Sequence, residues 1–265
     1  MSTLAEEGFL SDEGEVVVTV VRRRYAPWLS EIRPLNRLLT EAQYRFNIRQ
    51  EHAQEVTCGA LYVRSLAHCQ AVVLLLERGM GSSAKALMRC AMEELFNLSA
   101  CASNYEAALA FLDAHEVDRK KKAKYLSQVK DPASKALLDE SELKAILERA
   151  EAKIAEVGAR QPQVREMAQK AGLEDLYLTG YALLCGAVHS TVADLDQHYE
   201  VDDSGNVQAL ITEPLLDELG GLFLLVGETM AGIAHAAAPV LGITALEECE
   251  TRLQNLRQLG DNSGK

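Results

Sequence analysis

The chain has 265 residues, 48% of them hydrophobic and 25% charged, enough for one large or two small soluble domains with a substantial core. A net charge of −12 repels phosphate backbones at long range, which leaves any nucleic-acid role to a local basic patch. Aromatics make up only 5% while Ala and Leu abound, a balance that favours tight helix packing over a β-sandwich.

Residues 1–14 are acidic and lack an apolar signal core, so a mobile tail is expected there. EVVVTVV, residues 15–21, reads as a strand by propensity or as the first turns of a helix. Arg22, Arg23 and Arg24 follow as a first basic cluster. Leu29, Ile32, Leu35, Leu38 and Leu39 then recur at helical spacing, with Pro34 expected to kink or restart that helix. Tyr62, Leu66, Cys69, Val73 and Leu76 mark the core stripe of a helix over about 54–78. Gly79 and Gly81 break the chain, and Ser82 or Ser83 is the expected cap of a helix over about 83–102.

Ser103 with Glu106 has the spacing of a capping box for the next helix, which carries the second basic cluster, Arg119 to Lys122 and Lys124. Both basic clusters read as solvated helix faces. Asp131-Pro132 opens a charged, exposed helix over about 132–157, punctuated by Gly158 and Pro162. A helix over about 173–195 carries YALLCGAVHSTVADLDQHY, residues 181–199, and DDSGN turns a β-hairpin near 197–211. Glu213-Pro214 opens a Gly/Ala-rich helix. Residues 219–242 are long enough to span a bilayer, but Glu228 and His235 lie inside and no basic clusters flank them. A buried helix or a dimer-interface helix is expected instead, and no membrane. A last helix spans about 244–259, and 261–265 is a loose tail. The expected fold is all-α, a multi-helix bundle with one small hairpin, forming a single domain over 15–260.

Cys58, Cys69, Cys90, Cys101, Cys185 and Cys249 contain no Cys-x-x-Cys pair and read as reduced thiols in a cytoplasmic protein. No Walker loop, Rossmann fingerprint, His-Glu-x-x-His or Gly-x-Ser-x-Gly occurs, and no histidine has a Glu three residues before it. No cofactor and no metal are therefore expected. Two helix faces remain. Lys85, Arg89, Glu93 and Asn97 recur every four residues, as do Tyr177, Tyr181, Cys185 and His189. If the two faces meet, Arg89, Glu93, Tyr181 and His189 share a pocket and are the candidate catalytic residues. The plainer readings are a structural ion pair for Arg89 and Glu93, a packed core histidine for His189, and a packing residue for Tyr181. Glu228 and His235, two turns apart, are a candidate buried polar pair.

Arg89-Cys-Ala-Met-Glu93 and Tyr181-Ala-Leu-Leu-Cys-Gly-Ala-Val-His189, with the basic run before Tyr125 and the hairpin after His198, resemble a bacterial family, domain-of-unknown-function family 5677. The resemblance covers roughly 55–240. That family looks similar to HEPN-type helical bundles, many of them metal-independent RNases of toxin and phage-defence systems. Their Arg, separated from the His by four to six residues, is Ala182 here, and the family's usual Ser is Cys185. The resemblance thus leaves the 2′-hydroxyl proton to His189 and the cationic role to Arg89 or a second subunit. The expected function is a cytoplasmic, homodimeric binding module joined through its Gly/Ala-rich C-terminal helices. The alternatives are a HEPN-like endoribonuclease with a degenerate site, and a sensor holding a small anionic ligand on Arg89. RNA or another protein is the expected partner beyond a second copy.

Overall fold

The computed structural model describes residues 1–189, 192–214, 216–217 and 219–263, apart from the side chains of His189, Ala193 and Ser263. After short helical turns over Leu4–Glu7 and Gly8–Leu10, the chain forms α1 (Glu13–Arg24), α2 (Ala26–Gln43), α3 (Ala53–Glu77), α4 (Gly81–Ser103) and α5 (Tyr105–Leu126). Then come α6 (Glu140–Val157), α7 (Val164–Lys170) and α8 (Ala182–His189). The antiparallel hairpin β1 (Tyr199–Val201) and β2 (Val207–Leu210) precedes α9 (Leu219–Leu241) and α10 (Leu246–Ser263). The protein is an all-α bundle with one small hairpin among the described residues.

The core lies where α3, α4 and α9 meet, with α2 and α10 closing one side. Phe223, Val226, Met230, Ile233 and Ala234 of α9 face Leu66, Cys69, Val72, Met88, Met92 and Leu95 in one buried cluster. A helix this apolar all round has to be buried or in lipid. α3 and α9 are both long and apolar enough to cross a membrane, and here they pack on each other. The small residues of α9 are used inside the chain. A Cβ at Gly227 would fall 2.2 Å from Leu256 of α10, one at Gly232 3.0 Å from Leu95, and one at Gly220 3.3 Å from the Trp28 ring.

Several local expectations shift, each for a physical reason. EVVVTVV is helical, because Val17, Val18 and Val21 bury on one face of α1. α2 runs through Pro34 without interruption. α4 starts at Gly81, ahead of both serines, and Asn104 rather than Ser103 caps α5 by accepting the Ala107 N–H. Pro132 opens only the single turn Pro132–Lys135, and Asp139 caps α6 by accepting the Ser141 and Glu142 N–H groups. α9 begins at Leu219 instead of Pro214. The Tyr25 hydroxyl donates to the Leu216 carbonyl at 2.8 Å and accepts the Leu219 N–H at 3.3 Å, so a side chain from the α1–α2 junction sets the helix start. Glu228 and His235 do not pair. Glu228 meets Arg257 at 3.2 Å, and His235 bonds the Ala231 carbonyl at 2.8 Å.

Gly227→Val is expected to destabilise the protein by about 2 kcal/mol or more, because the added carbons overpack the α9–α10 contact. At Gly221 a Cβ meets nothing within 4 Å, so Gly221→Ala is free of that penalty. There the expected change is a gain of up to about 0.5 kcal/mol from reduced unfolded-state freedom. Urea denaturation of the two variants checks both signs.

Candidate functional site

The two polar stripes meet. Tyr181 donates its hydroxyl to Glu93 Oε1 at 2.5 Å, and Arg89 Nη1 lies 2.9 Å from the same oxygen. The Arg89 guanidinium also stands 4.8 Å from the centre of the Tyr181 ring, within cation–π range. Lys85, one turn before Arg89, donates to Gln197 at 3.0 Å. The stripe on α4 therefore holds the polypeptide on both sides of α8.

Local backbone geometry brings Tyr181 there. The expected helix over 173–195 runs without a gap from Glu174 to His189, and Val192–Leu195 is helical as well, but Tyr177–Tyr181 forms a π-helical turn within it. A Cβ at Gly180 would fall 2.9 Å from the end of the Met92 side chain, so a larger residue here would require that side chain to move. The wider turn stacks Tyr177 on Tyr181, with ring centres 5.0 Å apart, and sets both rings against Phe96. π-turns interrupt helices at sites that need a side chain re-aimed. His189 ends α8, and its side chain lies outside the described residues.

Charge settles what these groups can do. Burial raises the Tyr181 pKa, and the Glu93 carboxylate raises it further, so the phenol keeps its proton as a donor. Burial works against the charged form of Arg89, but its Cys185 and Glu93 neighbours outweigh it and hold the pKa above the ordinary guanidinium value. Arg89 Nε is buried without a hydrogen-bond partner. The trio is a packed seam more than a pocket. A cavity of about 640 Å³ opens beside Lys85 and Gln197, but Arg89, Glu93 and Tyr181 do not line it.

Two further acid clusters carry no signature in the sequence. Buried Glu94 meets Arg64 Nε at 2.6 Å and His68 Nδ1 at 2.8 Å. Buried Glu77 meets Arg22 and Arg33, each at 2.6 Å. For Glu94, burial outweighs a histidine and one largely exposed arginine, and the carboxyl pKa rises. For Glu77, burial raises the pKa as well, but two arginines overcome it and the result falls below the usual carboxylate range. The basic clusters are largely neutralised. Arg24 pairs with Asp217, Arg119 with Glu116, Lys120 with Glu151 and Lys122 with Asp118. Among the described residues, no group of three or more His, Cys, Asp or Glu side chains is placed to hold a metal ion.

The fold and this seam define a helical protein organised around a Tyr–Glu–Arg contact between α4 and the π-turn. Residues 55–207, more than half of the chain, match the family of unknown function DUF5677, and the protein belongs to that family. No curated protein and no solved structure shows significant similarity to it.

Tyr181→Phe is expected to lower stability by about 1–3 kcal/mol, since a hydrogen bond to an ionised carboxylate is lost. Combining it with Glu93→Gln is expected to cost less than the two single changes together, because both remove the same contact. A double-mutant cycle in urea measures that coupling.

Proposed function

We propose that this protein is a protein-binding module whose docking segment is residues 178–210. The observation that carries the reading is a run of apolar side chains left in solvent: Leu183 is 81% exposed, Val192 77% and Leu210 66%. Leu178, Val201 and Val207 are also exposed, and every residue of β2 faces water. An isolated two-stranded hairpin is marginal in water, and exposed apolar side chains of this size commonly mark interaction surfaces.

Charge selects the partner. From residue 171 to 251 the chain contains no Lys or Arg, while Asp194, Asp196, Glu200, Asp202 and Asp203 stand along the docking segment. An apolar centre with an acidic rim fits a partner segment that is apolar with a basic rim. A symmetric homodimer through this segment would set like charges against each other. The homodimer expected through the Gly/Ala-rich C-terminal helix has lost its small-residue contacts to Leu256, Leu95 and Trp28 of the same chain. A cytoplasmic location fits six thiols with no disulfide.

The ribonuclease and anion-sensor readings draw less support. The sensor needs Arg89 and the nuclease needs it or a second subunit's cation; Arg89 is already matched by Glu93 at 2.9 Å, and position 182 is Ala where the nuclease pattern has Arg.

An amphipathic Leu/Lys helical peptide, titrated at low and high salt, tests the reading. Binding that weakens with salt and is lost in Leu183→Glu is the expected result. An equal response to a Leu/Glu peptide would contradict it. So would a wild-type dimer in sedimentation that Leu183→Glu dissociates, which would assign the segment to a second copy.

A further inference from the structure

Away from the seam, on the face formed by α1, α2 and α3, a cavity of about 260 Å³ lies over buried Glu77. Glu77 is only 3% exposed, yet both of its oxygens are used: Oε2 by Arg22 Nη2 and Oε1 by Arg33 Nη2. The two arginines come from different helices and meet the carboxylate of a third. Each gives it one nitrogen and is otherwise about half exposed at the cavity. Glu77 thus works as a buried spacer that fixes two guanidinium groups side by side. Two positive charges against one negative leave one positive charge in excess at this cavity, on a protein whose net charge is −12.

The rest of the cavity is mostly apolar. Val73 and Leu74 form its accessible wall, with Ile32 and Met230 buried beneath them. Gln70 donates to Asn36 Oδ1 at 2.9 Å, which ties these two amides together. A cation meets a net positive charge here. A guanidinium with free N–H groups recognises planar or tetrahedral oxyanions, and a fixed pair needs no reorganisation to do so.

We propose that this cavity is a binding site for a small organic anion carrying a short aliphatic chain, its carboxylate or phosphate held by Arg22 and Arg33 and its chain laid against Val73 and Leu74, above the buried Met230. The site is independent of the docking segment, since none of its lining residues lies between 178 and 210.

The test uses the full-length protein labelled at the methionine methyl groups, with the Met230 signal assigned by Met230→Leu. Butyrate and butyl phosphate are titrated in, with butan-1-ol and butylammonium as controls. The expected result is a saturable shift of the Met230 signal with the two anions and not with the controls. It is expected to be lost in Arg33→Gln, and lost also in Val73→Phe, which fills the cavity while leaving the Glu77 bridge intact. Thermal melts establish that each variant is folded. Three results would overturn the proposal: no anion shift at about 20 mM, where a millimolar site is nearly saturated; an equal shift with butan-1-ol or butylammonium; or an anion shift that survives Val73→Phe.

Discussion

The Glu93 carboxylate binds two partners from one oxygen, and the placement of the π-turn and the start of α8 follows from that contact. Arg89 approaches along α4 and Tyr181 from the π-turn, at 2.9 and 2.5 Å. Gly180 helps by letting the turn press onto the end of the Met92 side chain. α8 then leaves with Leu183 and Val188 turned outward, while Leu184 stays in the core. The seam and the exposed segment are therefore two consequences of one packing arrangement: the polar groups that could face water are used inside, and the apolar ones that would ordinarily be inside are left outside.

Two glutamates, Glu77 on α3 and Glu94 on α4, show how the balance between burial and partners decides the outcome. Glu77 has two arginines and stays ionised against burial. Glu94 has one arginine largely in water and a histidine, and burial prevails. The sign of the pH response follows. A depressed carboxyl such as Glu77 supports the fold above the unfolded carboxylate range and loses that support as pH falls through its folded pKa. A raised carboxyl such as Glu94 supports the fold in acid and loses that support as pH rises through its folded pKa. Burial alone therefore does not fix whether an acidic side chain helps or strains this bundle.

The helical class, the hairpin and the Arg89–Glu93–Tyr181 contact were legible in the sequence, because helical spacing writes the first and last as steps of four. The interactions that set element boundaries were not. Tyr25 caps α9 from 194 positions away, and Arg22 reaches Glu77 across 55. No local pattern encodes such contacts. Nothing in the local pattern around Gly180 marks a π-turn, so it was equally hidden. The absence of Lys and Arg from 171 to 251 was visible in the sequence, but it gained meaning only beside the exposed side chains of α8 and the hairpin. The family match covers the seam and nearly all of the docking segment but not Arg22 or Arg33, so the cavity over Glu77 joins matched and unmatched parts of the chain.

Amide hydrogen exchange of Glu93→Ala against wild type tests most directly whether this one carboxylate holds the docking segment in place. The expected result is faster exchange confined to residues 177–188, with α3 and α9 as protected as before. Unchanged exchange in 177–188, or a uniform rise over the whole bundle, would contradict it.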